Sequence, residues 1–514
     1  MENLFTINQG RIFGKIDAKK IAIILVALSI AAIIIVFAYF IYPTPGGDSF
    51  FFVPAAINFS LKGELSNKIT DLTSIVDPTG AGRFLYYVPL FPVLLKYLMF
   101  TPTSQGASLA IALINSIVIA LSALVFYKIA TFNKIKFTWF NVFVISMSLL
   151  GLATTLGINV GRPEILARLF FVIAFILAFY ILPERLWLLF SLLLGLMGAT
   201  QPIGAIIFAI IMGIFFSIIF NTREAIKTIA KIYISAVVVF LSVMLLAPFS
   251  IADKINGILK HASLITVPPH ADNFLSIFFH YYFLDTNTTF FGLILLFSSM
   301  IGLWMYFRCH NRIHSSKLFV VFIILLLLIV LYSIIYPNHV YNILIFSPLF
   351  FGAIVYFLRN VTYPIYLKVI IVAVVTLSSI GFLRAVALFP FFLKDGVSLN
   401  EAKFHFQKLK DSMDVNEIIG VSDGLWPILD SYNNIRVYPP QFDLKQKNYS
   451  IILQQQNYSG LTTPLDVVDN CPLKENMFIF KNPKIFGIKL ANTMPGYAYA
   501  VYECPNKKNE NSSF

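Results

Sequence analysis

From Ile21 to Tyr42 the chain runs without one charged residue. A helix needs roughly 20 apolar residues to cross a bilayer core, so this run is long enough to span. Similar runs recur at 107–127, 138–157, 165–182, 186–200, 203–220, 232–250, 289–307, 318–336, 340–358 and 365–390. Those at 186–200 and 203–220 form a pair split by Thr200-Gln201-Pro202, and the first of them is short. The chain is 58% hydrophobic, well above the roughly 45–50% of soluble domains. The expected fold is mainly α: a polytopic bundle of about eleven transmembrane helices.

Charge placement orients the bundle. With the amino terminus on the cytoplasmic side, the inner loops hold Lys128, Lys134, Lys136, Arg223, Lys227 and Lys231 among many others. The longer outer loops before the last span hold fewer cations: Lys62, Lys68, Arg83, Lys96, Arg162, Lys254 and Lys260. Excess Lys and Arg marks the cytoplasmic side. The net charge of +13 is therefore topological, and nucleic-acid binding is not expected. The first run exceeds a signal-peptide core and no small-residue cleavage site follows, so it reads as a signal anchor.

Two outer loops are long. Residues 43–106 contain apolar stretches near 49–61 and 84–100, which are interrupted by Pro54, Pro89 and Pro92. These read as helices lying in the membrane interface. Residues 251–288 hold His261, His270 and His280, without the tight spacing of a metal site. No cofactor is expected, and the sequence leaves a divalent metal open. From residue 391 to 514 apolar runs shrink to strand length, as in Glu417–Val421, Tyr449–Leu453 and the alternating segment 496–503. A small extracytoplasmic α/β domain is expected there, after a membrane domain covering 1–390. Cys471 and Cys504 fall in this domain, where a disulfide can persist, while Cys309 falls in an inner loop.

The few charges close to membrane depth are placed toward the outer side. Asp48, in Gly46-Gly47-Asp48-Ser49, follows the first span directly. It suits either an N-cap for the next helix or a catalytic carboxylate. Gly161-Arg162-Pro163-Glu164 opens the fourth span, with Pro163 in the first turn. Glu164 and Arg168 are spaced to pair on one helix face. The alternatives are a helix start with a local ion pair and a ligand site. Arg83, with Tyr86 and Tyr87, is either a phosphate-binding group or a snorkelling arginine in an aromatic belt. Arg384, near the outer end of the last span, is similar.

In order along the chain, these segments resemble the GT-C superfamily of integral membrane glycosyltransferases, in its protein-mannosyltransferase and aminoarabinose-transferase branch. The matching segments are GGDSFFFVPAAINFSLKGEL, FLYYVPLFPVLLKYL, GRPEILARLFF and GLMGATQPIGAI. They lie within the first 220 residues or so. Two positions depart from the pattern: Ser49 stands where many relatives have a second acidic residue, and Gln201 where a lysine is common.

The resemblance implies a polyprenyl- or dolichyl-phosphate sugar donor and a glycan, lipid or protein acceptor at the outer face. Asp48 would be the general base, giving inversion. Arg83, Arg162 and Arg384 would meet the donor phosphate, with Tyr86 and Tyr87 beside them. Glu164 would orient an arginine or bind a sugar hydroxyl. A lipid or solute transporter is the alternative from another class, but charges gather at span ends and no internal repeat is visible. A lipid-linked polysaccharide polymerase or ligase of the cell envelope is the other. Usage rich in Phe, Ile, Lys and Asn points to a bacterial inner membrane.

Overall fold

The computed structural model describes residues 18–43, 49–69, 76–77, 79, 82–132, 134–158, 161–177, 183–219, 222–265, 344–358, 365–413, 419–429, 435–438, 450–455, 471–476, 484–485, 488–489 and 496–504. Asp48, His270, His280, Cys309 and the expected spans at 289–307 and 318–336 lie outside them.

Among the described residues, five helices are long and apolar enough to cross a membrane. They belong to α1 (Ala18–Tyr39), α4 (Ser104–Phe132), α5 (Trp139–Ile158), α9 (Thr222–Met244) and α12 (Ile365–Asp395). The chain is thus a mainly helical membrane protein. Shorter helices among the described residues are α6 (Glu164–Leu177), α7 (Pro183–Gly198), α8 (Pro202–Ile219) and α11 (Ser347–Phe357). Ile24, Leu25 and Leu28 of α1 and Ile234 and Val238 of α9 point out of the bundle, more than half exposed. Apolar surface of that extent belongs against lipid.

One span is displaced from its expected bounds. The apolar run suggested 232–250, whereas α9 begins at Thr222 and ends at Met244. Its first turns carry Arg223, Lys227 and Lys231. Long cationic side chains reach sideways to water while the helix continues, so charge did not mark the true start. The break at Thr200-Gln201-Pro202 falls as expected, with Pro202 opening α8. Proline suits a first helical turn because that N–H has no intrahelical partner.

The described residues between 43 and 103 include two short helices, α2 (Ser49–Lys62) and α3 (Leu90–Leu98). Pro54 lies inside α2. Having no N–H, it leaves the Phe50 carbonyl without its helical donor. Asn67 Nδ2 donates to Phe50 O at 2.8 Å and Phe51 O at 3.0 Å, and the Tyr86 hydroxyl also donates to Phe51 O. The first-turn carbonyls of α2 are thereby satisfied from the returning loop. Helix α10 (Ile251–Ile265) packs on that loop so closely that a Cβ on Gly257 would lie 2.5 Å from Leu85 O.

After α12 the chain forms α13 (Leu399–Asp411), N-capped by the Ser398 hydroxyl, which accepts from Glu401 N at 3.2 Å. A five-stranded sheet follows in the order β2-β1-β3-β7-β4. Strands β1 (Ile419–Ser422), β2 (Ile435–Tyr438) and β3 (Ile451–Gln455) run parallel. Strand β7 (Tyr499–Glu503) is antiparallel to β3 and β4 (Leu473–Asn476). The short strands β5 (Lys484–Ile485) and β6 (Ile488–Lys489) form a separate two-stranded sheet. A disulfide joins Cys471, just before β4, to Cys504, just after β7. One buried apolar cluster runs from Ile23 in α1 to Val501 in β7, so sheet and bundle share a core.

Candidate functional site

A cavity of about 430 Å³ lies where the sheet-bearing part meets the bundle. Its walls come from α1, α4, α5 and α12, together with Ser49 and Val53 of α2, Gly161 and Trp426. Most of the lining is apolar, as in ligand pockets generally. The polar groups are few: Tyr42, Ser49, Ser104, Ser108, Asn115, Thr154, Arg384 and the Trp426 indole.

Two segments singled out from the sequence meet here. Gly161 has φ +79° and faces Ser49 so closely that an added Cβ would lie 2.5 Å from Ser49 Cβ. Only glycine tolerates both the left-handed backbone and the approach. The loop that opens α6 is therefore packed against the start of α2. Asp48 lies outside the described residues; its covalent neighbour Ser49 lines the cavity.

Beside this contact, Arg162 Nε and Nη2 donate to the two Glu164 carboxylate oxygens at 3.2 and 3.3 Å. Gln201 Nε2 adds a bond to Oε1 at 3.0 Å. Glu164 is 1% exposed and opens α6, where the helix dipole favours its charge. The i, i+4 spacing had suggested a Glu164–Arg168 pair instead. Arg168 is fully buried, with Nη2 3.5 Å from Thr155 O and Nε and Nη1 without hydrogen-bond partners. Arg162 and Gln201 hydrogen-bond the carboxylate, while Arg168 feels its charge without a hydrogen bond to it.

The first-loop residues lie elsewhere. Arg83 makes a two-nitrogen contact with Asp77 Oδ1, at 3.1 and 2.9 Å, and reaches Asp253 at 3.5 Å. Burial alone would raise the Asp77 carboxyl. Hydrogen bonds from the Arg83 side chain and backbone and from Thr79 outweigh it and hold the group down to about 2. Tyr86 is buried with its hydroxyl on Phe51 O, and Tyr87 packs edge-on against Phe52. Arg83, Tyr86 and Tyr87 do not line the cavity. Their contacts tie the loop to α2 and α10. Lys254 of α10 is also buried there, donating to Phe84 O, and burial pushes its amine well below the usual lysine value.

Arg384 does line the cavity, and it has no hydrogen-bond or ion-pair partner among the described residues. Its neighbour Ala385 accepts from the Tyr42 hydroxyl at 2.9 Å. That bond sets Arg384 level with the end of α1.

The sequence reading missed Trp426. Its Nε1 donates to Ser49 Oγ at 2.8 Å. It stands in the 3-10 turn Asp423–Leu429 that follows β1. The Tyr497 hydroxyl donates to Ile41 O at 2.9 Å beside it. Nothing local marks Trp426, because its role depends on how the sheet docks. Asn115 was also passed over, although an amide in the middle of an apolar span is a visible signal.

Among the described residues, no group of three or more His, Cys, Asp or Glu is arranged to hold a metal. No family model matches the chain, and no curated protein or solved structure is significantly similar to it.

Proposed function

We propose that the protein is a membrane glycosyltransferase. It moves a sugar from a polyprenyl-phosphate donor to an envelope glycan, lipid or protein acceptor at the outer face of a bacterial inner membrane. The observation that carries this reading is the cavity itself. Its lining is mostly apolar, it has on one wall an arginine, Arg384, with no ion-pair partner among the described residues, and it is lined by the two residues, Ser49 and Gly161, at which the segments after the first span and before the fourth touch. An amphiphile with an anionic head suits such a lining.

The chemistry follows from the residue types. The acceptor hydroxyl attacks the anomeric carbon, the bond to the donor phosphate oxygen breaks, and the configuration inverts. Asp48, next to Ser49, takes the hydroxyl proton. Positioned general bases contribute typically 10²–10⁴-fold. Arg384 faces the lipid phosphate as its charge grows. Arg162 and Glu164 hold the loop carrying Gly161 rather than meeting the phosphate.

The test uses full-length protein in nanodiscs with radiolabelled polyprenyl-phosphate sugars and envelope extract. Asp48→Asn is expected to lose at least about 100-fold in transfer with an unchanged melting temperature. Near-normal transfer in that variant removes Asp48 from the base role. No transfer by the unaltered protein from any polyprenyl-phosphate sugar removes the reading.

A further inference from the structure

Helix α4 carries a polar stripe into the membrane. Ser104, Ser108 and Asn115 all line the cavity and lie on one helix face. Hydroxyls elsewhere in the bundle are satisfied by the preceding turn: Ser148 donates to Val144 O, Thr154 to Leu150 O and Ser378 to Val374 O. Ser108 and Asn115 have no hydrogen bond among the described residues. Asn115 is 3% exposed, and its Oδ1 is buried without a partner. Ser122, further along α4, is also unpartnered but does not line the cavity.

The depth of Asn115 can be read from the α1–α4 contact. Gln105 Nε2 donates to Tyr39 O, and Ser116 Oγ to Ala31 O. Eight residues of helix separate those two carbonyls, so Asn115 lies about 12 Å deeper than the end of α1. An unsatisfied amide there is unfavourable in the empty protein. An isoprenoid tail has no hydrogen-bond donor and would leave it so.

We infer that Asn115 is a specificity-determining residue whose side-chain amide hydrogen-bonds a hydroxyl of the donor sugar. This rests on the glycosyl-transfer reading above. The sugar then points inward from Arg384 toward Asn115, with Ser108 as a second contact on the same face, and the isoprenoid chain leaves by another side.

The experiment compares Asn115→Leu with the unaltered full-length protein in nanodiscs. The probes are polyprenyl phosphate, polyprenyl-phosphate glucose and polyprenyl-phosphate mannose. The unaltered protein is expected to bind at least one glycosylated lipid tenfold or more tighter than the bare lipid. Asn115→Leu is expected to erase that preference, keep the affinity for bare polyprenyl phosphate, and melt at the same or a higher temperature without ligand. Asn115→Ala repeats the test without added bulk. A preference retained in both variants, or a lower melting temperature in both, overturns the assignment. Binding of all three lipids without preference by the unaltered protein overturns it and leaves the glycosyl-transfer reading standing. Binding of none overturns both.

Discussion

The indole N–H of Trp426 donates to the hydroxyl of Ser49 at 2.8 Å, across 377 positions of sequence. This bond joins the sheet-bearing part of the chain to the residue that follows Asp48. Trp426→Phe keeps the ring and removes the donor. It should weaken docking by about 1 kcal/mol, the usual net value of such a bond. Hydrogen exchange in 423–429 should then rise roughly fivefold while exchange in α4 and α5 stays the same.

Gly161→Ala should disrupt the contact from the other side. The new Cβ meets Ser49 Cβ at 2.5 Å in a left-handed backbone, so the α6 loop and α2 must separate. A loss of roughly 1–3 kcal/mol is expected from the backbone conformation alone. Thermal melts should show it, and glycosyl transfer should fall further than stability does.

Glu164 is held by Arg162 and Gln201 in a buried site. Glu164→Ala removes the buried carboxylate that both residues bind and should destabilise by about 3 kcal/mol, because one of the lost donors is charged. Gln201→Ala removes one neutral donor and should lose only about 1–2 kcal/mol. Equal effects in melting experiments would mean that the Arg162–Glu164 contact adds nothing to stability.

The pH dependence of the first loop follows from Asp77. Its folded value, about 2, lies below the ordinary carboxylate value near 3.9. A lowered folded value means that the unfolded chain binds the proton first. The stabilisation is therefore complete above about pH 4 and is lost as pH falls toward 2. Proteolysis of the 77–87 segment should accelerate over that window, and Asp77→Asn should remove the dependence.

The disulfide between Cys471 and Cys504 closes a loop of 33 residues' separation. Chain-entropy reasoning puts its contribution at about 3–4 kcal/mol. Cys471→Ala with Cys504→Ala should expose β4 and β7 to exchange by that measure, with the membrane helices unchanged.

Individual residues show how far local pattern reaches. The proline at 202 and the apolar runs around it announced α7 and α8, because helix breaks and span lengths are local properties. The alternating strand near 499–503 was legible for the same reason. Arg83 and Arg384 looked alike in sequence, each an outer-side arginine beside apolar residues. Packing separates them: Asp77 and Asp253 surround the first, and no carboxylate reaches the second among the described residues.

The sequence by itself therefore determined that this chain is built on membrane-length apolar helices, where they break, and that a small sheet follows. Tertiary structure alone decided which polar groups are neutralised and which face a cavity. A charge is paired or left open by whatever packs against it. Ser49 with Trp426, and Glu164 with Gln201, become neighbours only when distant helices and the sheet share one core.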